Sequence, residues 1–338
     1  MTSREIVKSI IGRNLAPRCG FWLGNPHPDT LPRLHRYFGT ETEEELRRKL
    51  GDDFRWISPS FIEGTFPNLG RVGLFDLRRA GAKASHGQAG PLADCDRPED
   101  IEAFDWPDPV DLDFGPVVEA LDEAGPYYRA SGFWSPFYHD LMDLFGMEHY
   151  FVKMIAQPDV VRAATDRVCG FYFEANARFY DAAGDRVDGF FFGNDFGTQL
   201  DLMISPRLFD AFVLPWMRRF TEQAHGRGYQ VILHSCGSIA RVIDRLVEAG
   251  VDCLHPLQAM AVGMEAEKLG REFGGRVAFL GGIDTQRVLN TGTPAQVREE
   301  VRRVMDLLGP HLIVSPSHEA LLPDVPPPNI AAMAEVVR

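Results

Sequence analysis

Beyond residue 205 the apolar positions of the chain switch back and forth between two spacings. In SPRLFDAFVLPWMRRFTEQAHGRG (205–228) they recur every three or four residues, with Ser205 placed to cap, Pro206 at the first helical position and Gly228 as a stop. YQVILHSC (229–236) is short and almost continuously apolar, the pattern of a strand buried on both faces. The alternation then repeats. Helix SIARVIDRLVEAG (238–250) leads to strand VDCLHPLQ (251–258), helix EAEKLGREFG (265–274) to strand RVAFLGGID (276–284), and helix TPAQVREEVRRVMDLLG (293–309) to strand HLIVSPSHE (311–319), before a closing helix PPNIAAMAEVVR. This order predicts a parallel sheet with helices on both faces.

Upstream, RCGFWLG (18–24), YYRASGF (127–133) and RVDGFFFGND (186–195) read as further strands, and the 150–182 stretch as long and helical. That makes seven strands, with room for an eighth in the irregular region 52–95, where GRVGLFDLRRAGAKASHGQAG reads as an excursion or hairpin. The expected fold class is therefore α/β, a (β/α)8 TIM barrel spanning 1–338 as one domain. An amphipathic helical extension occupies 1–17, and charges within its apolar pattern distinguish it from a signal peptide.

A barrel of this kind places its chemistry at the C-terminal ends of the strands. Those ends hold Asn194 and Asp195, His234 and Cys236, His255 and Gln258, Asp284, and Ser315 to Glu319. Residues i and i+2 of a strand share a face, so His234 and Cys236 project side by side, a geometry suited to one zinc ion. The bland alternative is a buried histidine bonded to a carbonyl beside an inert thiol. A third ligand is expected from His318, which a closed barrel brings across the mouth, with Glu319 and Asp195 in reserve. Asp195 and Asn194 are the catalytic candidates, Asp195 as an orienting or proton-carrying group. Trp22, Gln258, Asp284 and Glu319 are candidates for binding substrate, although Asp284 could instead cap the next turn. The aromatic residues Phe21, Trp22, Phe133, Trp134 and Phe190 to Phe192 cluster near the strands and are expected to pack the core, although a few at strand tips could shape an apolar pocket for an aromatic or methylated substrate.

Composition narrows the partners. The 338 residues carry 35 basic and 48 acidic side chains, a net charge of -13 that disfavours nucleic acid and anionic membranes. No apolar run reaches the length of a membrane span, and cytoplasmic residence is the expectation. Five cysteines, Cys19, Cys95, Cys169, Cys236 and Cys253, are widely and irregularly spaced, so a disulfide framework is not expected.

The segments GNDFGTQLDLMISPRLFDAFVLPWMRRF, ILHSCGSIARVIDRLVEAGVDCLHPLQ, AFLGGIDTQRVLNTGTPAQVREEV and IVSPSHEALLPDVPPPNIAAMAEVVR resemble the uroporphyrinogen decarboxylase superfamily, which also contains cobalamin-dependent methyltransferases. The likeness is strong over 140–338 and weaker at HPDTLPRLHRYFG. It implies a TIM barrel, in agreement with the alternation. Decarboxylases of the family bind polycarboxylates through an arginine-rich RQAGR-type segment, where this chain has RCGFWLGNPHPD with Arg18 alone. The methyltransferase branch has a zinc motif that begins His-x-Cys and ends in a distant cysteine. His234 and Cys236 match the first two positions, and SPSHE offers His318 where the last cysteine would stand. Zinc on two histidines and one thiolate carries a formal charge of +1, a stronger Lewis acid than the family's neutral centre.

The resemblance thus implies a zinc-dependent methyltransferase moving a methyl group between a small methylated substrate and a corrinoid. The chain has no DxHxxG segment, so the corrinoid is expected on a separate partner protein. A homodimer is compatible with the family. Two rival readings are a metal-free decarboxylase relying on Arg18 or another pocket cation, and a non-catalytic protein that binds a tetrapyrrole or corrinoid.

Overall fold

A computed structural model of the chain describes all residues except 67–74, 76–86 and 319. Eight parallel strands form one sheet: β1 (Gly20–Phe21), β2 (Phe54–Trp56), β3 (Tyr128–Ser131), β4 (Gly189–Gly193), β5 (Gln230–His234), β6 (Cys253–His255), β7 (Ala278–Ile283) and β8 (Leu312–Pro316). Spatial order follows chain order from β2 to β8, and β1 then pairs with β8, Gly20 opposite Ile313. The expected (β/α)8 barrel is what forms, with its eighth strand found in FRW at 54–56.

Strict alternation along each strand separates two cores. Trp22, Phe54, Tyr128, Phe191, Ile232, Cys253, Leu280 and Ile313 point inward and fill the barrel, while Phe190, Phe192, Val231, Leu233, Leu254, Phe279 and Val314 point outward under the helices. The inner cluster continues into Ile6, Val7, Ile10 and Ile11 of the N-terminal helix Ser3–Ile11, which closes the bottom of the barrel. Thr2 and Glu5 form its capping box, and the helix ends at Gly12 rather than at residue 17.

The seam between β1 and β2 is joined largely by side chains. The Asp53 amide donates to the Phe21 carbonyl at 2.9 Å, and its carboxylate accepts the Phe21 amide at 3.0 Å. Asp52 likewise accepts the Leu23 amide at 3.1 Å and the Arg47 guanidinium at 2.7 Å. Arg18 grips Asp53 with two hydrogen bonds of 2.7 and 2.8 Å. Since Arg18 precedes β1, it lies at the end of the barrel opposite the strand tips, and it is not a cation for a pocket at the mouth.

Three elements differ from their sequence expectation. The helix expected over 205–228 is two helices, Pro206–Phe212 and Leu214–His225, because Pro215 lacks the amide that would continue the first through Val213. Over 238–250 only Ile243–Glu248 is helical: the Ser238 amide is drawn to the Thr198 carbonyl at 2.7 Å and its hydroxyl to the Val262 carbonyl at 2.6 Å. The 150–182 stretch belongs to two helices, Met147–Ala156 and Pro158–Ala183, divided at Pro158. The excursion or hairpin expected at 70–90 lies largely outside the described residues. Among the described residues no helix is long and apolar enough to cross a membrane.

Replacing Asp53 with alanine strands the Phe21 amide and leaves Arg18 without its carboxylate. Urea unfolding should show a loss of roughly 2–4 kcal/mol, discounted for the partial exposure of Arg18; an unchanged midpoint would mean that the seam does not depend on this carboxylate.

Candidate metal centre

His234 is the last residue of β5 and faces inward, two positions above Ile232. The chain then turns sharply through Ser235, Cys236 and Gly237. Gly237 has φ +82°, and a Cβ there would overlap the Gly197 carbonyl oxygen, so only glycine lets the two segments approach. Four further bonds fix the turn. The Ser235 amide donates to the His255 carbonyl at 2.9 Å and the Asn194 amide to the His234 carbonyl at 3.0 Å. The Gly237 amide donates to Gln258 Oε1 at 2.6 Å, and the Phe196 amide to Ser235 Oγ at 3.1 Å.

Asp195 follows β4, the neighbour of β5, and completes a cluster with His234 and Cys236. Its Oδ1 lies 3.2 Å from His234 Nε2 and accepts the Cys236 amide at 2.7 Å. Cys236 Sγ lies 3.5 Å from His234 Nε2, and the ligand atoms of all three residues fall within 4.8 Å of one another. A tetrahedral zinc with bonds of about 2.0–2.3 Å needs ligand atoms roughly 3.3–3.6 Å apart, so the two spacings from His234 Nε2 fit such an ion with little movement.

Burial alone would raise the Asp195 pKa. The hydrogen bond from His234, the charges of His234 and His139 and the Cys236 amide outweigh it, holding the carboxyl well below the usual carboxylate range. An anionic oxygen is thus ready beside His234. His139, on the helix Phe137–Phe145, stands on the other side of Asp195, its Nε2 3.8 Å from Oδ2.

The second nitrogen of His234 is equally constrained. His234 Nδ1 and His255 Nδ1 are 2.9 Å apart, so one proton must lie between them. His255 is fully buried, and its Nε2 has no hydrogen-bond partner among Trp22 and Phe191, whose ring centroids are 5.3 and 5.2 Å away. Aromatic faces tolerate an N–H and repel a lone pair. The consistent arrangement is a neutral His255 with its hydrogen on Nε2, accepting at Nδ1 from His234. Burial, followed by the charges of His234 and His318, pushes the His255 pKa well below the ordinary imidazole value, in keeping with that neutral form. His234 Nε2 is then the atom left to face Asp195 and Cys236, where a proton or a metal ion satisfies it.

The remaining expected site residues fall into different roles. His318 stands outside the three-residue group; its Nδ1 accepts the Ala320 amide at 3.1 Å, and its strand is three removed from β5. Asn194 is buried, with its side chain spent on the Tyr138 amide and the Ser135 carbonyl, and so braces the loops beside Asp195. Trp22 is fully buried within the barrel, its ring packed against His255, and is absent from the lining of the aromatic cavity at the strand tips. Gln258 holds Gly237, and Asp284 caps its own turn by accepting the Gln286 and Arg287 amides. Glu319 lies outside the described residues.

A cavity of about 510 Å³ at the strand tips, walled in part by Trp56, Ile57, Phe61, Ile62 and Trp134, is separated from the cluster by the Trp134 ring. Trp134 belongs to both places: its ring is 4.9 Å from Trp56 and 5.1 Å from His234. Gly193 makes room for it, since a Cβ there would overlap the indole. Sequence reasoning missed His139, which no motif marks, and the partnership of His255 with His234. The latter had a readable signal, because β5 and β6 are consecutive strands and register sets His234 opposite His255.

Fold and site together define an α/β barrel with a compact donor cluster at its catalytic end. Residues 94–338 match the family model for uroporphyrinogen decarboxylase (URO-D), and the chain belongs to that family. No curated protein matches the sequence. Among solved structures, a methyltransferase from Methanosarcina mazei superposes with a TM-score of 0.69 at 16% identity, over 99% of this chain and 98% of that one. A candidate vitamin-B12-independent methionine synthase from Listeria monocytogenes gives 0.44 at 12% identity, over 95% and 96%. At these identities the likeness concerns the fold.

Two substitutions test this geometry. His255→Leu should weaken zinc binding by about 10- to 100-fold in chelator competition, as loss of a partner that orients a ligand histidine does. Gly237→Ala should reduce binding at least as much, by forcing the turn away from Gly197; unchanged affinity in either variant would contradict the assigned role.

Proposed function

We propose that this protein is a zinc-dependent methyltransferase that moves a methyl group between a small methylated substrate and a corrinoid carried by a partner protein. The observation that carries this reading is the Asp195, His234 and Cys236 cluster at the strand tips, beside an aromatic cavity. One nitrogen, one thiolate and one carboxylate suit a borderline-soft ion and leave a fourth position open, the pattern of a catalytic zinc. When bound, the metal acts as a Lewis acid on the oxygen or sulfur that carries or receives the methyl group.

The donor set alters the electrostatics expected from the sequence. With Asp195 in place of His318 the formal charge of the centre is zero and not +1, which moderates its acidity. The protein compensates in its surroundings. His139, about a quarter exposed and next to Asp195, is placed to exchange a proton with the reacting oxygen or sulfur. His255 keeps Nε2 of His234 aimed at the space it shares with Asp195 and Cys236. Trp134 covers the ring of His234 and shields it from water.

The decarboxylase reading depended on a cation near the substrate. Arg18 is committed to Asp53 at the far end of the barrel, and no lysine or arginine stands among the described residues lining the cavity. A polycarboxylate therefore has no evident counter-charge there.

Protein purified without added zinc should contain about one equivalent of metal and should methylate or demethylate a corrinoid in the presence of a suitable methyl donor or acceptor. His234→Ala and Cys236→Ala should each lower metal content and cut methyl transfer by at least about 100-fold, about 2.7 kcal/mol in transition-state terms. Metal-free protein with full activity, in wild type and variants alike, would overturn the assignment.

A further inference from the structure

We infer that the interior of the barrel binds one structural water molecule behind His234, held between Trp22, His255 and Ser315, and that this water fixes the ring of His255 and through it the ring of His234. Three buried polar atoms carry the inference. Trp22 Nε1, His255 Nε2 and Ser315 Oγ have no hydrogen-bond partner among the described residues, and their residues are 0%, 1% and 0% exposed. Leaving such atoms unpaired is costly, and folded proteins satisfy them with ordered water where no side chain reaches them.

The strands bring the three to one level. Trp22 follows β1 directly, and its amide donates to the Val314 carbonyl at 3.0 Å, so the register that sets Phe21 opposite Val314 continues with Trp22 beside Ser315. Strands paired in this way lie about 4.8 Å apart. Ile313 belongs to the inner cluster and Val314 to the outer one, so Ser315 points inward by alternation, as Trp22 does. His255 stands two residues beyond the inward Cys253, and its ring centroid is 5.3 Å from that of Trp22. On the other side of Ser315 is Gly282, which with Gly281 adds no side chain to the interior. β7 therefore leaves room where its neighbours place polar atoms.

Hydrogen-bond chemistry selects the ligand. An indole N–H only donates, and the neutral His255 carries its hydrogen on Nε2, so both groups need an acceptor. A water oxygen accepts both and has a hydrogen left to donate to Ser315 Oγ, which makes the three bonds usual for a buried water. An anion would accept as well, but the surrounding inner cluster is apolar and offers no opposite charge. The water thus completes a line of hydrogen bonds from Ser315 through His255 to His234 Nδ1, and a His255 ring held at both nitrogens keeps its partner oriented. Ser315 becomes a positioning residue for a centre that it does not touch.

A crystal structure of the whole protein, at a resolution that shows ordered water, tests the site. One water is expected within about 2.7–3.2 Å of all three atoms, in zinc-loaded and metal-stripped protein alike. Direct bonding among the three side chains, anomalous scattering from a chloride, or no density at that point would overturn the inference. Nitrogen-15 NMR of histidine-labelled protein reads the positioning role: His255 should carry its hydrogen on Nε2, protected from exchange, and Ser315→Ala should speed that exchange about tenfold. The same variant should bind zinc about three- to tenfold more weakly in chelator competition. Unchanged exchange and unchanged zinc affinity in Ser315→Ala would refute the role in positioning, and if that variant does not fold the wild-type crystal structure decides. Only the effect on zinc rests on the methyltransferase reading. A water in place in a protein that holds no zinc leaves this site standing and sinks that reading, whereas zinc bound with no water behind His234 sinks this inference alone.

Discussion

The close approach of residues 197–198 to residues 237–238 is the constraint on which the mouth of the barrel depends. Gly237, in a left-handed conformation against the Gly197 carbonyl, lets the chain reverse immediately after β5. Without that reversal Cys236 would not double back toward His234, and the Cys236 amide would not reach Asp195. The same contact draws Ser238 to Thr198 and so delays the following helix until Ile243. A few atoms of clearance thereby couple the donor cluster to two loops and one helix start.

Much of this was legible in the chain because parallel barrels write themselves plainly. Short apolar runs alternating with amphipathic helices leave few other folds; period-two facing pairs His234 with Cys236, but the strand ends at His234 and it is the turn through Gly237 that brings the thiol back beside the imidazole. The eighth strand was harder. Phe54–Trp56 is three residues long, and its junction with β1 is made mostly by the carboxylates of Asp52 and Asp53. Hydrophobic periodicity carries no trace of a junction of that sort.

The third donor illustrates a different limit. His318 was favoured by chemistry and by a family pattern, with Asp195 in reserve. Neighbouring strands prevailed over distant ones: β4 and β5 are hydrogen-bonded, Gly193 opposite His234, so a residue two positions beyond Gly193 meets the turn after His234 directly. His318 comes from across the barrel and reaches the cluster as a field on His255 and not as a member. Aromatic packing was still less readable, since Trp56, Trp134 and Phe191 become neighbours only once the barrel has closed.

The pairing of β1 with β8 has a consequence for how the chain is made. Gly20 lies against Ile313, and the N-terminal helix packs on an inner cluster that includes Ile313 and Leu280. Contacts so remote in sequence carry a large closure cost that must be met before they stabilise anything. During synthesis the first helix and strand therefore wait, with apolar faces uncovered, until the final strand leaves the ribosome. Asp53, carried on the second strand and bonded to Ser3, Arg18 and Phe21, is available to hold the opening segment in place through that interval.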